Sequence, residues 1–428
     1  MATHIIPFRA FVYNQEKTRD LSKVVCPPYD IISPLDQKYF HQLNPYNLIH
    51  LLLGIDIPGE DKYKRAGLLF KKWQKEGVLI QEKKPAIYFY SHEYSLRGER
   101  KTRLGFIALI KLSDKNSTVY GHENTHIEAT EDRYRLIKQV KANLSPIFLT
   151  FLDKKRIIQR AFGNLLEKDE TFIKVVDRQY NVHRLWRVDS SGALEKIQKD
   201  MSGEHIFIAD GHHRYQVACA FRDQMKKKMG SAFTGQESFN YTMAYFTNTD
   251  PRSLSILPIH RLLKLNNLFD IKELKNRLGA YFLVEEIKDK ARFLFLLEKS
   301  GKSEHVLGIY YRKAYWFLRL KNVKFLDEIM PQEPKELKGL DVSILNNLVF
   351  KKLLGIYLTY QALIYFSPHA EELIREVDER PPYMAFFLNP VKMQQIIEVA
   401  LAGKKMPPKS TYFYPKVLSG LVINKFDT

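Results

Sequence analysis

The apolar run Ile206-Phe207-Ile208-Ala209 stops at Asp210-Gly211, and beyond it Val217, Phe221 and Met225 recur every four residues. A short apolar run closed by a turn signal reads as a buried strand, and a four-residue recurrence reads as one buried helical stripe. A strand that feeds a helix through a glycine turn places the chain in the mixed α/β class, with helices laid on a sheet.

The same turn carries chemistry. Backbone N–H groups at a helix start have no intrahelical acceptor and sit at the positive end of the helix dipole, which makes an anion site. Gly211 permits a tight turn and close approach of phosphate oxygens. His212, His213 and Arg214 add side-chain donors, and a guanidinium grips phosphate in a bidentate way. Asp210 stands where a carboxylate can orient a histidine, accept a proton or help hold Mg²⁺. The plainer reading is a helix start capped by Asp210 with two exposed histidines. Four polar residues packed into one turn between apolar elements weigh against it.

Elsewhere the pattern is that of a folded chain. Ser33-Pro34 opens a helix over 35–43, and an amphipathic stretch over 63–75 ends at Gly77. Residues 5–13 read as a strand, 14–20 as a polar turn, and 86–112 as a hairpin about Arg97-Gly98. Thr130 caps a helix over 131–142, and 172–188 alternates as strands do. Beyond residue 265 come a helix, β-rich 306–320, and helices near 341–360 and 391–402. The change of texture divides the chain into 1–265 and 266–428, the latter a smaller α+β domain.

Composition excludes several classes. In 428 residues, 45% are hydrophobic and 27% charged, which is ordinary globular usage. Cys26 and Cys219 are the only cysteines, so neither a zinc ribbon nor a disulfide scaffold is available, and two lone thiols fit a reducing cytoplasm. No apolar span reaches the roughly 20 residues of a bilayer crossing, so a soluble cytoplasmic protein without a membrane partner is expected. The net charge of +19 favours anionic partners, nucleotides or nucleic acid among them. Short lysine clusters such as Lys226-Lys227-Lys228 read as solvated faces.

Three further segments hold candidate chemistry. In Cys26-Pro27-Pro28-Tyr29-Asp30 two prolines stiffen the loop, and a fixed carboxylate is what a hydroxyl acceptor needs as a base. A turn aspartate is the alternative there. Gly121-His122-Glu123-Asn124-Thr125-His126 matches the His-Glu-x-x-His zinc-protease pattern, which requires both histidines on one helical face. With helix expected only after Thr130, a polar site loop is the better reading. Its His122 and Glu123, with Asp132 and Arg133, then reach toward the same phosphate or its metal. Met406 to Lys416 contains Lys409-Ser410-Thr411 but none of the glycines that cradle phosphate, so a surface strand is as good a reading. Neither a dinucleotide Gly-x-Gly-x-x-Gly nor a Gly-x-Ser-x-Gly elbow occurs.

Taken in order, Pro7-Phe8-Arg9-Ala10, Pro27-Pro28-Tyr29-Asp30-Ile31-Ile32-Ser33, Asn44-Pro45-Tyr46-Asn47, His122-Glu123-x-Thr125, Asp132-Arg133, Asn143-x-Ser145-Pro146-Ile147-Phe148, residues 209–215 and the tail 406–415 with Ser419-Gly420-Leu421 resemble a large bacterial and archaeal family, the domain of unknown function numbered 1015. Asp210-Gly211-His212-His213-Arg214 is similar to the phosphate-binding signature of the ParB/sulfiredoxin-like superfamily, in which free L-serine kinases carry a nearly identical motif. The resemblance implies a ParB/sulfiredoxin-like catalytic core within 1–265, with a large insertion at about 80–200. It also implies a kinase that uses ATP or ADP with Mg²⁺ to phosphorylate a small amino acid, free L-serine foremost. On it, Gly211, His212, His213, Arg214, His122 and Arg133 bind the nucleotide phosphates. Asp30, Glu123 and Asp210 are the catalytic carboxylates, and Asp210 is the candidate Mg²⁺ ligand. A non-catalytic ParB-like nucleotide or nucleic-acid binder is the rival. It is less favoured because no helix-turn-helix or aromatic RNA-reading motif is present. Metal-dependent hydrolysis by the 122–126 segment is a third possibility.

Overall fold

The computed structural model describes residues 3–113, 118–125, 127–166, 171–265, 270–356 and 363–427. The fold is mixed α/β, and the chain forms two compact units. The first comprises Met1–Gly121, Thr125–Ser255 and Pro415–Thr428, and the second His122–Asn124 and Ile256–Tyr414.

The first unit is built on a nine-stranded mixed sheet. Its strand order is Val119–Tyr120, Ile206–Asp210, Ile147–Phe151, Tyr241–Asn248, Glu99–Lys111, Ile87–Leu96, Val182–Val188 and Ile173–Val176, with Ile5–Ile6 paired beside Glu99–Lys111. Ile206–Asp210 runs antiparallel to Ile147–Phe151, which in turn runs parallel to Tyr241–Asn248. Residues 87–188 therefore supply strands of the same sheet that carries Ile206–Asp210.

One face of this sheet buries Phe89, Phe106, Leu149, Ile208 and Phe246 against the helices Ile157–Leu166 and Ser191–Met201. Phe246 is fully buried, and truncating such a ring to alanine costs about 3–5 kcal/mol. In the helix His212–Met229, Val217 and Phe221 pack with Ile137 of the helix Ile127–Val140 and with Phe239 and Phe426. The four-residue stripe is a real buried face.

Several expected elements are present as read. Ser33 caps Pro34–Leu43 by accepting from the Asp36 N–H, and the hairpin strands Ile87–Leu96 and Glu99–Lys111 meet at Arg97-Gly98. Others shift. The strand expected over 5–13 splits into Ile5–Ile6 and Phe11–Tyr13, with Pro7, which cannot donate to a ladder, between them. The polar turn over 14–20 contains a one-turn helix, Gln15–Thr18, capped by Asn14. The helix placed after Thr130 begins at Ile127.

The second unit carries a six-stranded antiparallel sheet in the order Phe282–Ile287, Ala314–Leu320, Val306–Tyr311, Tyr383–Phe387, His260–Lys264 and Ile364–Ser367. Phe293 and Leu297 of the helix Lys290–Ser300 and Leu373 and Val377 of Ala370–Glu379 cover it. The helix expected over 341–360 is a short α-turn, Asp341–Ile344, followed by the π-helical Leu345–Leu353. Residues 357–362 lie outside the described residues. No helix among the described residues is long and apolar enough to cross a membrane.

Candidate functional site

The strand Ile206–Asp210 shifts register between Ile208 and Asp210, a bulge after which Asp210 still pairs with Phe148. Gly211 follows with φ 91°, and the 18-residue helix His212–Met229 begins. Two independent constraints favour glycine at this position. The positive φ is costly for any residue with a Cβ, and a Cβ here would sit 3.0 Å from the Arg214 guanidinium. The first bond of the helical ladder runs from the Tyr215 N–H to the Gly211 carbonyl at 2.9 Å, so the amides of His212, His213 and Arg214 precede that ladder.

The N-cap of the helix is Gly211, which has no side chain to cap with, and His212 is buried. The plain reading of a capped helix with two exposed histidines is thereby corrected. Asp210 is used otherwise. Its Oδ2 accepts from Arg214 Nη2 at 2.7 Å, and its Oδ1 accepts from Lys416 Nζ. Arg214 Nη1 also donates to the Pro146 carbonyl at 2.5 Å. Lys416 Nζ lies 4.0 Å from Asp30 Oδ2 as well. The side chains of Lys416, Asp210 and Arg214 are only 8%, 12% and 14% exposed. Two cations and two carboxylates thus balance in a largely dehydrated cluster, and removal of one partner from such a cluster costs about 3–5 kcal/mol.

The tertiary structure brings several distant segments to this turn. Asp30 sits in the 3₁₀ turn Tyr29–Ile31, held after Pro27-Pro28. Arg133, buried, donates to Asp132 and to the Leu52 carbonyl, and its guanidinium lies 4.2 Å over the Tyr29 ring. Burial pushes the Tyr29 hydroxyl up, opposed by Arg214 and Arg133 and aided by Asp30 and Asp210, so its ring lies among these charges. Ser145 exchanges a 2.6 Å hydrogen bond with Ser419, which fixes the Pro146 carbonyl near the tail that carries Lys416. A cavity of about 60 Å³ is lined by Tyr29, Leu52, Arg133, Ser145, Arg214 and Val217. It suits a phosphate-sized group and is far below the roughly 300 Å³ or more of a whole-ligand pocket.

Glu123 and His122 fall in the second unit. There His122 is fully buried, with Nε2 3.0 Å from Thr411 Oγ1, and Glu123 Oε1 accepts the Lys409 N–H at 2.9 Å. The 406–411 tail therefore packs with the His-Glu segment through a Met406–Glu123 bridge and a turn at Pro408-Lys409, and His122 and Glu123 lie outside any helix. His126 lies outside the described residues. The helical context that zinc proteolysis requires is missing at His122.

Lys416 is the residue that sequence reasoning left out of the site. It stood at the end of the Met406 to Lys416 segment, where Lys409 had drawn attention. Its contacts with Asp210 and Asp30 mark it. That contact also bears on Mg²⁺. With both oxygens of Asp210 ion-paired to Lys416 and Arg214, the residues present do not fit a resident Mg²⁺ at this carboxylate.

A family model described as protein of unknown function (DUF1015) matches residues 5–343. No curated protein matches the chain. Among solved structures, the chain is similar to a free serine kinase in complex with AMP, at 13% identity over 74% of this chain and 92% of that one, with a TM-score of 0.35. It is also similar to SbnI with C-terminal truncation from Staphylococcus aureus, at 11% identity over 73% and 85%, TM-score 0.35. A conserved hypothetical protein from Pyrococcus furiosus is 12% identical over 72% and 90%, TM-score 0.32. Scores of this size establish no residue-by-residue correspondence.

Proposed function

The chain belongs to the DUF1015 family, and on that premise we propose that it is a phosphotransferase moving a phosphoryl group from ATP or ADP to the hydroxyl of a small amino acid, free L-serine foremost. The observation that carries this reading is the pairing of Arg214 and Lys416 on Asp210 at the start of a long helix. Both cations are held on a carboxylate beside the first amides of that helix, where the phosphate would sit. An arriving phosphate competes with Asp210 for both.

Phosphoryl transfer needs positioning and charge neutralisation more than covalent help from the protein. Arg214 and the first amides of His212–Met229 hold the phosphate, and Lys416 balances charge as the bond between phosphorus and the nucleotide oxygen breaks. The serine Oγ forms the new bond to phosphorus and gives its proton to Asp30, whose side chain is 34% exposed and so open to an acceptor. Glu123 suits that role less, because its carboxylate is already engaged by the Lys409 N–H.

Purified protein incubated with Mg-ATP or Mg-ADP and serine should yield O-phosphoserine. Protein shown to be folded that yields none with either donor sinks the proposal. Asp30→Asn should keep nucleotide binding and lose turnover, whereas unchanged turnover removes Asp30 as the base. Nucleotide binding without turnover on any hydroxy amino acid would instead point to a non-catalytic binder. Affinity for DNA that falls steeply with salt would extend that reading to nucleic acid.

A further inference from the structure

In the first unit, His183 on Val182–Val188 pairs in register with His92 on Ile87–Leu96, and His92 pairs with Arg103 on Glu99–Lys111. Residues directly opposite one another in adjacent strands project to the same face. A row of His183, His92 and Arg103 therefore crosses three strands, with the two imidazole centroids 4.2 Å apart. All three residues are at most 1% exposed.

Asp177 closes the hairpin between Ile173–Val176 and Val182–Val188 and folds its carboxylate back onto the row. Its Oδ1 anchors the turn by accepting from the N–H groups of Gln179 and Asn181 at 2.8 and 2.9 Å. Its Oδ2 lies 3.2 Å from His183 Nε2 and accepts from Asn181 Nδ2 at 2.9 Å. One nitrogen of each histidine and one Asp177 oxygen all lie within 4.8 Å of one another, the one such grouping among the described residues. From this geometry we propose that His92, His183 and Asp177 form a binding site for a divalent transition-metal ion of the zinc class.

Three features carry the assignment. The 3.2 Å between His183 Nε2 and Asp177 Oδ2 is close to the roughly 3.3 Å that separates neighbouring ligands in a tetrahedral site with bonds of about 2.0–2.1 Å. The other nitrogen of His183 is 2.6 Å from the Tyr90 hydroxyl, an outer partner that fixes the ring as metal-bound histidines require. His92 Nε2 is buried without a hydrogen-bond partner, an expensive state for a polar atom that a metal would relieve.

Arg103 is the opposing element, because its Nη2 stands 3.3 Å from His92 Nδ1. Ligation through Nε2 places the imidazole proton on Nδ1, so the guanidinium must turn aside. It has other partners to hold it: the Pro415 carbonyl at 2.7 Å and the faces of Phe148 and Tyr245 at 4.6 and 5.3 Å. Selectivity should follow ligand type, with zinc and cobalt bound well and magnesium and calcium poorly, since two imidazoles suit borderline metals.

The test uses the full chain, freed of metal by chelator and titrated with Zn²⁺ or Co²⁺ alone. One equivalent should bind, Co²⁺ should develop the visible band of a four-coordinate ion, and Zn²⁺ should raise the melting temperature. His92→Gln, His183→Gln and Asp177→Asn should each weaken binding at least tenfold. The surface-side pair His41 and His50, whose Nδ1 atoms are 3.1 Å apart, supplies the control, and His50→Gln should leave the cobalt band intact. Folded wild-type protein that binds no stoichiometric Zn²⁺ or Co²⁺ overturns the proposal, even where a variant fails to fold. Loss of the band in His50→Gln with its retention in His92→Gln overturns it equally.

Discussion

The turn at Asp210 and the row at His92 concentrate polar groups in the same unit but hold charge in opposite ways. At the turn, the carboxylates of Asp210 and Asp30 are paired with the Arg214 guanidinium and the Lys416 ammonium group through long side chains that can exchange partners. In the row, short imidazoles locked on paired strands are kept neutral by burial beside a single guanidinium. The first arrangement can release its cations to an incoming anion. The second can offer lone pairs to an incoming cation. Their difference follows from placement: a strand end bent into a helix start is open to change, whereas the middle of a sheet is not.

Substitutions should separate the two regions. Of the substitutions that separate the two regions, Lys416→Met should have the largest effect, lowering turnover by about 100-fold or more, as loss of a single charge-stabilising donor does in other enzymes. Measured O-phosphoserine formation within threefold of the parent would show that Lys416 belongs to the packing alone. Arg103→Met should be felt chiefly in stability. It leaves the Pro415 carbonyl unpaired next to Lys416, at a cost of about 1–3 kcal/mol by denaturant unfolding. A much larger loss of turnover than of stability would show that the two regions are coupled through Pro415-Lys416. Gly211→Ala should cost about 1–2 kcal/mol, from the positive φ and the 3.0 Å approach of Arg214, and should weaken nucleotide binding along with it.

The smallest effect concerns acid. Burial works to raise the Asp132 carboxyl, but Arg133 and the Tyr63 hydroxyl together hold it below its ordinary 3.8. A carboxylate depressed in the folded state contributes stability above its unfolded value, and that contribution fades as the pH falls through the folded one. Melting temperatures should therefore drop below about pH 4, and Asp132→Asn should flatten that part of the profile.

Much of the local structure was readable because it depends on near neighbours. Ser33 and Pro34 dictate a helix start whatever the rest of the chain does, and Asp210-Gly211 dictates a strand–helix turn. The candidate anion site was legible to the same extent, through residues adjacent in the chain. Lys416 was not, because 206 positions separate it from Asp210 and nothing local distinguishes it from the other lysines. Glu123 reads as a site carboxylate by its neighbours, yet the structure sets its oxygen on the Lys409 backbone. His92 and His183 were invisible for a related reason. Each is an ordinary strand residue until register lays one on the other.

Propensity, capping and turn chemistry act over a few residues, so the mixed α/β class, the strand–glycine–helix turn with its donors, and most helix and hairpin starts follow from local runs of the chain. Which distant charges answer Asp210, and which side chains meet across strands, was settled only by folding. Those choices rest on sheet register and on the path of the C-terminal tail, which are set by burial of the whole core rather than by any short run of residues.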